Sequence, residues 1–546
     1  MSKKENTIVS SKPNKKYNSE LCDDKMTFED CELAILRHAV DESDKIQKQK
    51  VANSEEVKGM FELLETFIIR KKLILYGGLA LNRLMPKQDQ FYNSDLDLPD
   101  YDMFTENALD DAMELADIYH AAGYSDVEAR SGVHHGTYKV FVNYIAIADI
   151  TQLNPVIYRN IMKDCITIAG LRYAPPNFLR MSMYLELSRP AGDTSRWEKV
   201  LKRLTLLNKY YPLKTEVSCD KVDFQRNVDT VSKSDSENLY FIVRNNFIEQ
   251  EVVFFGGYAS SLYTKNMPSN QQKLINRIPD FDVLSTDPNK CAMILLETIK
   301  DNGYAKCKSV EHEAIGEIIP RHIEIIVGNE TVAFIYEPIA CHNYNTIQIG
   351  EKDIRIATID TMLSFYLAFI YTNQSYFPRD RILCMAKFLF EVEEKNRLQQ
   401  KGVLKRFSVE CYGKQPTMED LRAEKAEMFR KLANKRGTRE YDEWFLKYNP
   451  AIKRDKKEKE EKDKKEEKEK DEKEKEKDED KSTESPVGQS KKTLEKVFPP
   501  DTKIPILTKT ITPSKKQETR KQKVVKKKKP KTRRRPSNGL LSSLFF

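Results

Sequence analysis

Apolar and polar positions alternate along this chain in blocks, and the block at 73–104 orders the rest. Leu73-Ile74-Leu75-Tyr76 is an apolar run of four that ends in Gly77-Gly78. Such a run predicts a buried strand, and the Gly pair predicts its turn into a helix N-terminus. The helix is short and amphipathic and stops at Met85-Pro86. After a linker, Leu98-Pro99-Asp100-Tyr101-Asp102-Met103-Phe104 predicts a second strand. Alternation along that strand puts Asp100 and Asp102 on one face and Tyr101 on the other.

The flanks read as helices and strands around this pair. Residues 1–26 are polar without apolar period and predict a mobile arm. Residues 27–72 carry helical patterning at Leu33, Ile35 and Leu36 and again at Phe61, Leu63, Leu64, Phe67 and Ile68. Thr105-Glu106-Asn107 is a helix N-cap neighbourhood, and the helix it starts runs through Ala112, Leu115 and Tyr119 to Gly123. Residues 136–150 predict one or two strands, and 174–211 are helical, interrupted at Pro190-Ala191-Gly192.

The pattern then recurs. Val252-Val253-Phe254-Phe255-Gly256-Gly257 echoes the first strand and Gly pair, and Met267-Pro268 echoes Met85-Pro86. Ile278-Pro279-Asp280-Phe281-Asp282-Val283 echoes the second strand, so that Asp280 and Asp282 stand for Asp100 and Asp102. Ala292-Met293 and Gly303-Tyr304 repeat Ala112-Met113 and Gly123-Tyr124 at the same spacing. An offset of 180 at Asp-x-Asp, Ala-Met and Gly-Tyr, and of 179 at the Gly pair, indicates two tandem copies of one α+β unit. The organisation read from this is an arm (1–26), a first domain (27–211), a second domain (236–400), a helical extension (401–450) with Trp444, Phe445 and Tyr448 as packing anchors, a charged linker (451–514) and a basic tail (515–546).

Composition changes the picture in two places. The net charge of +8 is concentrated: residues 515–536 hold thirteen Lys/Arg and one Glu, leaving the rest slightly acidic. Residues 453–481 are unbroken charge, fourteen basic and fifteen acidic, with no apolar face to bury, so the run reads as a spacer, either disordered or a solvated single helix, within a charged C-terminal tail expected to be disordered. The nine cysteines show no Cys-x-x-Cys pair, which speaks against a zinc site and a disulfide framework and for a reducing compartment. With no apolar leader and no run of 18 apolar residues, a soluble intracellular protein without membrane contact is expected.

The chemistry follows from the order of the elements. Paired Asp supplies oxygen ligands to Mg²⁺ or Mn²⁺, and a Gly-rich turn supplies backbone N–H groups to phosphate. Strand, Gly-Gly, helix and Asp-x-Asp on the next strand form the layout of polymerase-β-type nucleotidyltransferases. Such a site needs a third carboxylate, and Asp149, a lone acid in Ala146-Ile147-Ala148-Asp149-Ile150, has the setting. Asp100 and Asp102 are then the ligands of two metal ions that clamp the triphosphate and the attacking 3′-hydroxyl, with Asp149 completing the site nearest the hydroxyl. Many such enzymes have Gly-Ser at the turn; here Gly78 is followed by Leu79 and offers only its N–H, so Gly77 and Gly78 need help in holding phosphate. Arg196, Lys199 and Arg203 share a helix face by spacing, and Lys139 precedes Asp149 by one strand; the same residues also describe an ordinary solvated basic face. Each signal alone is weak, since Gly-Gly is commonly a plain turn and Asp-x-Asp a solvated edge; their joint order carries the reading. In the second copy Glu324 is the best candidate for a third acid, few basic residues follow, and a degenerate copy that holds RNA or packs on the first is expected. His312, Glu313, Glu317 and His322 have no zinc-motif spacing.

At Tyr76-Gly77-Gly78, 98–102, His135-Gly136-Thr137-Tyr138-Lys139-Val140, 171–180 and Ser188-Arg189-Pro190, the chain resembles the poly(A) polymerase catalytic subunits of large cytoplasmic DNA viruses, in the giant-virus branch related to the poxvirus enzyme. The resemblance covers roughly 55–450. It implies ATP-dependent, template-free addition of a poly(A) tail to mRNA 3′ ends, a divalent metal, and tandem transferase-like domains of which one is active, with Asp100, Asp102 and Asp149 in the carboxylate roles. It further implies a homodimer, a viral processivity or capping partner, and a place in the host cytoplasm (the viral factory) and in the virion. Two other readings stay open on the residues: a nucleotidyltransferase acting on tRNA or protein, and an inactive RNA-binding scaffold. The basic tail reads either as an RNA-tethering arm or as a nuclear-import signal.

Overall fold

The structure, a computed structural model, describes residues 20–22, 26–52, 54–93, 98–222, 224, 233–267, 269–272 and 279–452. Most of the N-terminal arm, the linker from residue 453 on and the basic tail lie outside them, as do Pro268 and Ile278 of the repeated motifs.

Two helices lead in, α1 (Phe28–Ala52) and α2 (Glu55–Lys71). Helix α2 buries Val57, Met60, Leu64, Phe67 and Ile68, the stripe expected of a 3.6-residue period. It delivers the chain into β1 (Ile74–Leu75), which is fully buried, and the chain turns at Gly77 into α3 (Gly77–Leu84). Strand β2 (Tyr101–Thr105) follows, then α4 (Ala108–Ala121) and β3 (Val127–Ser131). The stretch read as one or two strands is two, β4 (Thr137–Val142) and β5 (Ile145–Gln152). Asn143 and Tyr144 turn between them at φ 47° and 66°, the two positive values that a tight hairpin turn requires. The domain closes with α5 (Pro155–Asp164), β6 (Ile166–Ile168), β7 (Leu171–Tyr173), α6 (Pro176–Leu187) and α7 (Trp197–Tyr210).

The second run repeats this order. It holds α8 (Lys233–Glu249), β8 (Val253–Phe254), α9 (Gly257–Ser261), α10 (Ser269–Gln272), β9 (Phe281–Leu284), α11 (Pro288–Asp301), β10 (Cys307–His312), β11 (His322–Val327), β12 (Glu330–Tyr336), β13 (His342–Ile349), β14 (Lys352–Ala357), α12 (Ile359–Phe369) and α13 (Arg379–Lys395). Residues beyond 400, read as a helical extension, hold two helices and two short strands, in the order β15 (Cys411–Tyr412), α14 (Met418–Lys431), α15 (Arg439–Phe445) and β16 (Lys447–Tyr448).

Each domain is built on one mixed sheet flanked by helices. The strand orders are β16-β3-β4-β5-β2-β1-β7-β6 and β10-β11-β12-β9-β8-β14-β13-β15. Without the added edge strands β16 and β15 the two orders correspond strand for strand. Every pairing keeps its sense: β1 with β2 and β8 with β9 are antiparallel, while β2 with β5 and β9 with β12 are parallel. The repeat seen in the sequence is therefore a duplicated α+β fold, two tandem nucleotidyltransferase-like domains.

The two domains share a buried seam where α6 packs on α12. The Asn343 N–H donates to the Ser188 carbonyl at 2.8 Å, and the Asn160 side chain donates to the Tyr371 carbonyl at 2.8 Å. At its centre Arg406 pairs with Asp360 (2.5 Å) and Glu393 (2.7 Å), and Tyr184 of the first domain donates to Glu393 at 3.0 Å.

The cysteine expectation needs correcting. Three pairs are disulfide-bonded, Cys22–Cys31, Cys219–Cys384 and Cys341–Cys411. Two of them join cysteines 165 and 70 residues apart, which meet only through the fold, so sequence spacing does not reveal them. Among the described residues no helix is long and apolar enough to cross a membrane.

Candidate active site

Parallel pairing of β2 with β5 sets Asp102 directly opposite Asp149. Each is only 4% exposed. One strand further out, Lys139 on β4 lies opposite Asp149, and its ammonium is ion-paired to the Asp149 carboxylate. On the other side of Asp102 is the Gly pair. Gly77 sits at φ 72°, where L side chains are strained, and a Cβ there would collide with Oδ2 of Asp102. Glycine is thus required twice over at position 77, for its backbone conformation and for the carboxylate laid against it.

Asp100 arrives by a different route from the one alternation predicts. It precedes β2, and the Asp102 N–H donates to the Asp100 carbonyl at 3.2 Å. The chain curls just before the strand begins, so a loop rather than the pleat brings Asp100 to its neighbours.

The three carboxylates repel one another. Burial and the charges of Asp100 and Asp149 push the Asp102 carboxyl well above the usual carboxylate range, against Lys139 and Arg196. The protein crowding Asp100 and the Asp149 charge push Asp100 up too, against Lys139 and Lys199. Such a set of hard oxygen donors fits a divalent cation such as Mg²⁺ or Mn²⁺, which relieves the repulsion. Among the described residues no three His, Cys, Asp or Glu side chains converge on one metal-holding point. Asp149 is turned onto Lys139 and Asp102 onto Gly77.

The basic residues ring this group. Arg196 is the cap of α7 rather than a member of it, with its Nε 3.9 Å from Oε1 of Glu186. Lys199 lies one turn along; burial and the neighbouring Arg203 and Arg196 lower its pKa, and Asp100 acts against them. Arg203 is buried, 6% exposed, and lies beside Gly78, where a Cβ would stand 3.2 Å from its Nη1. Gly77, Gly78, Asp100, Asp102, Lys139, Asp149, Arg196, Lys199 and Arg203 thus surround a single site.

Three residues at the site escaped the sequence reading. Arg203 donates to the Tyr92 hydroxyl at 2.9 Å and stacks over the Phe91 ring at 4.4 Å. The Asn82 side-chain oxygen accepts from the N–H groups of Phe91 (2.7 Å) and Tyr92 (3.1 Å), tying that loop to α3. The available signal was the aromatic pair Phe91-Tyr92 in an otherwise polar linker.

The second copy differs at one decisive position. Asp282 on β9 lies opposite Phe334, so the place of Asp149 is held by an aromatic ring. Glu324 is not its replacement, contrary to the reading from sequence. It lies on β11 opposite Phe334 and so matches Lys139 in register. There it is engaged by His312 at 2.9 Å and by Thr331. His322, Phe334, Tyr376 and Phe377 pack as an aromatic cluster over this part of the sheet. His312 stacks on His322 at 4.9 Å as part of that packing, with no metal cluster among the described residues.

Fold and site together define the class: a duplicated nucleotidyltransferase-like protein whose first copy alone sets a third acid, Asp149, across the strand from its Asp-x-Asp pair. Residues 62–193 match the model of the family described as poly(A) polymerase catalytic subunit. The chain is 32% identical over 174 residues to a candidate poly(A) polymerase catalytic subunit of African swine fever virus (strain Badajoz 1971 Vero-adapted), a match over 31% of this chain and 36% of the relative. A candidate catalytic subunit of Acanthamoeba polyphaga mimivirus is 24% identical over 228 residues, 40% of this chain and 37% of its own. The matched stretch thus spans little more than a third of these curated relatives. The crystal structure of the Megavirus polyadenylate synthase superposes with a TM-score of 0.64 at 20% identity, over 80% of this chain and 89% of that one, which shows a shared fold. The resemblance to viral poly(A) polymerase catalytic subunits read from the motifs is borne out by these matches.

Proposed function

We propose that this protein is a template-independent polynucleotide adenylyltransferase that extends the 3′ ends of viral mRNA from ATP, with the first domain as the catalytic one. The observation that supports this is the cross-strand Asp102–Asp149 pair beside the Gly77 cradle, inside the segment that matches the catalytic-subunit family.

In this reading Asp100, Asp102 and Asp149 hold Mg²⁺ or Mn²⁺, which, when bound, lowers the cost of the charge developing on the attacking and leaving oxygens. The RNA 3′-hydroxyl loses its proton to solvent as its oxygen attacks the α-phosphorus of ATP; one P–O bond forms, and the bond to pyrophosphate breaks. The N-terminal end of α3 at Gly77-Gly78 presents backbone N–H groups and its positive dipole end to the triphosphate. Arg203, beside Gly78, and Lys199, facing Asp100, add fixed positive charge to the same end of the site. Lys139 balances the charge of Asp149, and with a cation on that carboxylate it would be free to meet phosphate. The second domain, without a third acid in register, acts as a scaffold for the first and for RNA.

The test is an extension assay with the full chain, an oligo-RNA, Mg²⁺ or Mn²⁺ and each nucleoside triphosphate in turn. A long ladder from ATP alone is the expected result. Equal use of CTP or UTP sinks the poly(A) reading and favours a transferase of other specificity. ATP binding without turnover favours an RNA-binding scaffold.

A further inference from the structure

The turn at Gly77-Gly78 lacks the serine that many nucleotidyltransferases use to hold phosphate, yet the space such a side chain would fill is occupied. A Cβ built on Gly78 runs into the Tyr92 hydroxyl and comes within 3.2 Å of Cζ of Tyr92 and of Nη1 of Arg203. Gly78 is not among the positive-φ glycines, unlike Gly77, so its backbone does not itself demand glycine. The hydroxyl of Tyr92 does.

That hydroxyl is held in place by two residues, Asn82 and Arg203. Asn82, on the second turn of α3, accepts the backbone N–H groups of Phe91 and Tyr92 and so fastens the loop to that helix. Arg203 reaches across from α7, lies over the Phe91 ring and donates to the Tyr92 oxygen. A phenol is both donor and acceptor. With the Arg203 N–H donating a hydrogen bond to the oxygen, the O–H of Tyr92 is left to donate elsewhere, from a point beside the Gly78 backbone and next to a guanidinium.

We propose that Tyr92 is a ligand of the nucleotide's triphosphate, its hydroxyl taking the place of the missing serine, with Arg203 as the charged partner that orients it. This rests on the reading of the first domain as a nucleotidyltransferase. Charge-assisted hydrogen bonds to phosphate oxygens are stronger than neutral ones, which gives this single hydroxyl a measurable share of the binding. The geometry also makes Gly78 and Tyr92 exclusive: the site has room for a hydroxyl on one of them at a time.

The experiment is calorimetric binding of inorganic tripolyphosphate with Mg²⁺, and separately of AMP, to the full-length protein and three variants: Tyr92→Phe, Gly78→Ser, and the two combined. Thermal midpoints of all four proteins establish that each is folded. Tyr92→Phe is expected to weaken tripolyphosphate binding about tenfold, the scale of one hydrogen bond to a charged group, and to leave AMP binding unchanged. Gly78→Ser alone is expected to weaken it too, because its Cβ meets the Tyr92 hydroxyl. In the combined variant that clash is gone, the remaining contacts at 3.2 Å ease with a small shift, and the serine hydroxyl restores binding above that of Tyr92→Phe. Unchanged tripolyphosphate binding in Tyr92→Phe, or a combined variant no better than Tyr92→Phe, overturns the proposal. Because tripolyphosphate carries no base and needs no RNA, this result stands apart from whether the wild type prefers ATP or extends RNA.

Discussion

Phe334 stands opposite Asp282 in the paired strands β12 and β9, at the register where Asp149 stands opposite Asp102 in β5 and β2. An Asp-x-Asp motif occurs in both domains, but only one has a third carboxylate across the strand. Replacing Asp102 or Asp149 with Asn should therefore lower nucleotide incorporation by about a thousandfold, the upper end of the loss seen when one element of a preorganised electrostatic site is removed. Asp282→Asn should leave the rate unchanged. Single-turnover extension rates for the three variants decide it, and a large loss in Asp282→Asn alone would relocate the active site to the second domain.

Lys139 gives a second handle on the same site. Its ammonium is the direct counter-charge of Asp149, whose neighbours Asp100 and Asp102 are raised by burial first and by repulsion within the acidic group second. Lys139→Met leaves that repulsion uncompensated in the metal-free protein. Its thermal midpoint in EDTA should fall below that of the wild type, and Mg²⁺ should raise it by more than it raises the wild type. A Mg²⁺-induced shift equal in the two proteins would show that Lys139 and the cation do not share the carboxylate.

How much of this was legible in the sequence follows from which interactions are local. Gly77-Gly78 and Asp102 could be read because a strand end, a helix start and a period-2 face are each written within a few residues. Asp149 stood out as an acid in an apolar strand, and the near-constant offset made the duplicated fold visible. Glu324 was misplaced because choosing a third acid requires knowing which strand neighbours β9. That is set by long-range pairing, and it puts Phe334 there and Glu324 one strand away. Tyr92 was missed for a related reason: its role depends on Asn82 fastening a loop and on Arg203, 111 residues away, reaching it. Asp100 lies near Asp102 by a turn rather than by the strand alternation its spacing suggests, because the chain curls just before β2 begins. The disulfides escaped because cysteines that meet across a fold need no spacing in the chain.

The seam between the domains carries a buried charge cluster whose loss should be felt globally. Arg406 is 6% exposed, Glu393 3% and Asp360 fully buried, and one guanidinium serves both acids. Arg406→Met strands two buried carboxyls at the place where α6, α12 and α13 meet. The expected cost is about 3–5 kcal/mol, the usual penalty for breaking a buried ion pair from one side. Replacing all three residues with apolar ones should recover most of it, because the desolvation of the acids disappears with them. Chemical denaturation of the single and triple variants measures both. A single variant within about 1 kcal/mol of wild type would mean that water reaches the cluster.

His342 and Glu393 should tilt stability in opposite directions with pH. His342 is fully buried on β13, and neither ring nitrogen has a hydrogen-bond partner among the described residues. Burial first and the nearby Arg189 second push its imidazole down to about 3, from 6.5. As pH falls below 6.5 the unfolded chain takes up a proton on this ring that the folded chain refuses, so stability is lost progressively toward pH 3. Burial, opposed by Arg406, pushes the Glu393 carboxyl up to about 7, from 4.5. Here the folded chain keeps a proton that the unfolded chain releases, so this contribution is full below pH 4.5 and is lost as pH rises to 7. Between pH 5 and 7 the two slopes oppose each other in the wild type. His342→Leu removes the first, along with a ring N–H buried without a partner, and should leave a protein more stable at pH 5 than at pH 7 by roughly 2 kcal/mol. Glu393→Gln removes the second and should be less stable at pH 5 than at pH 7. Urea midpoints at the two pH values for the three proteins give the signs directly, and parallel pH profiles in all three would show that neither group is held in its buried state.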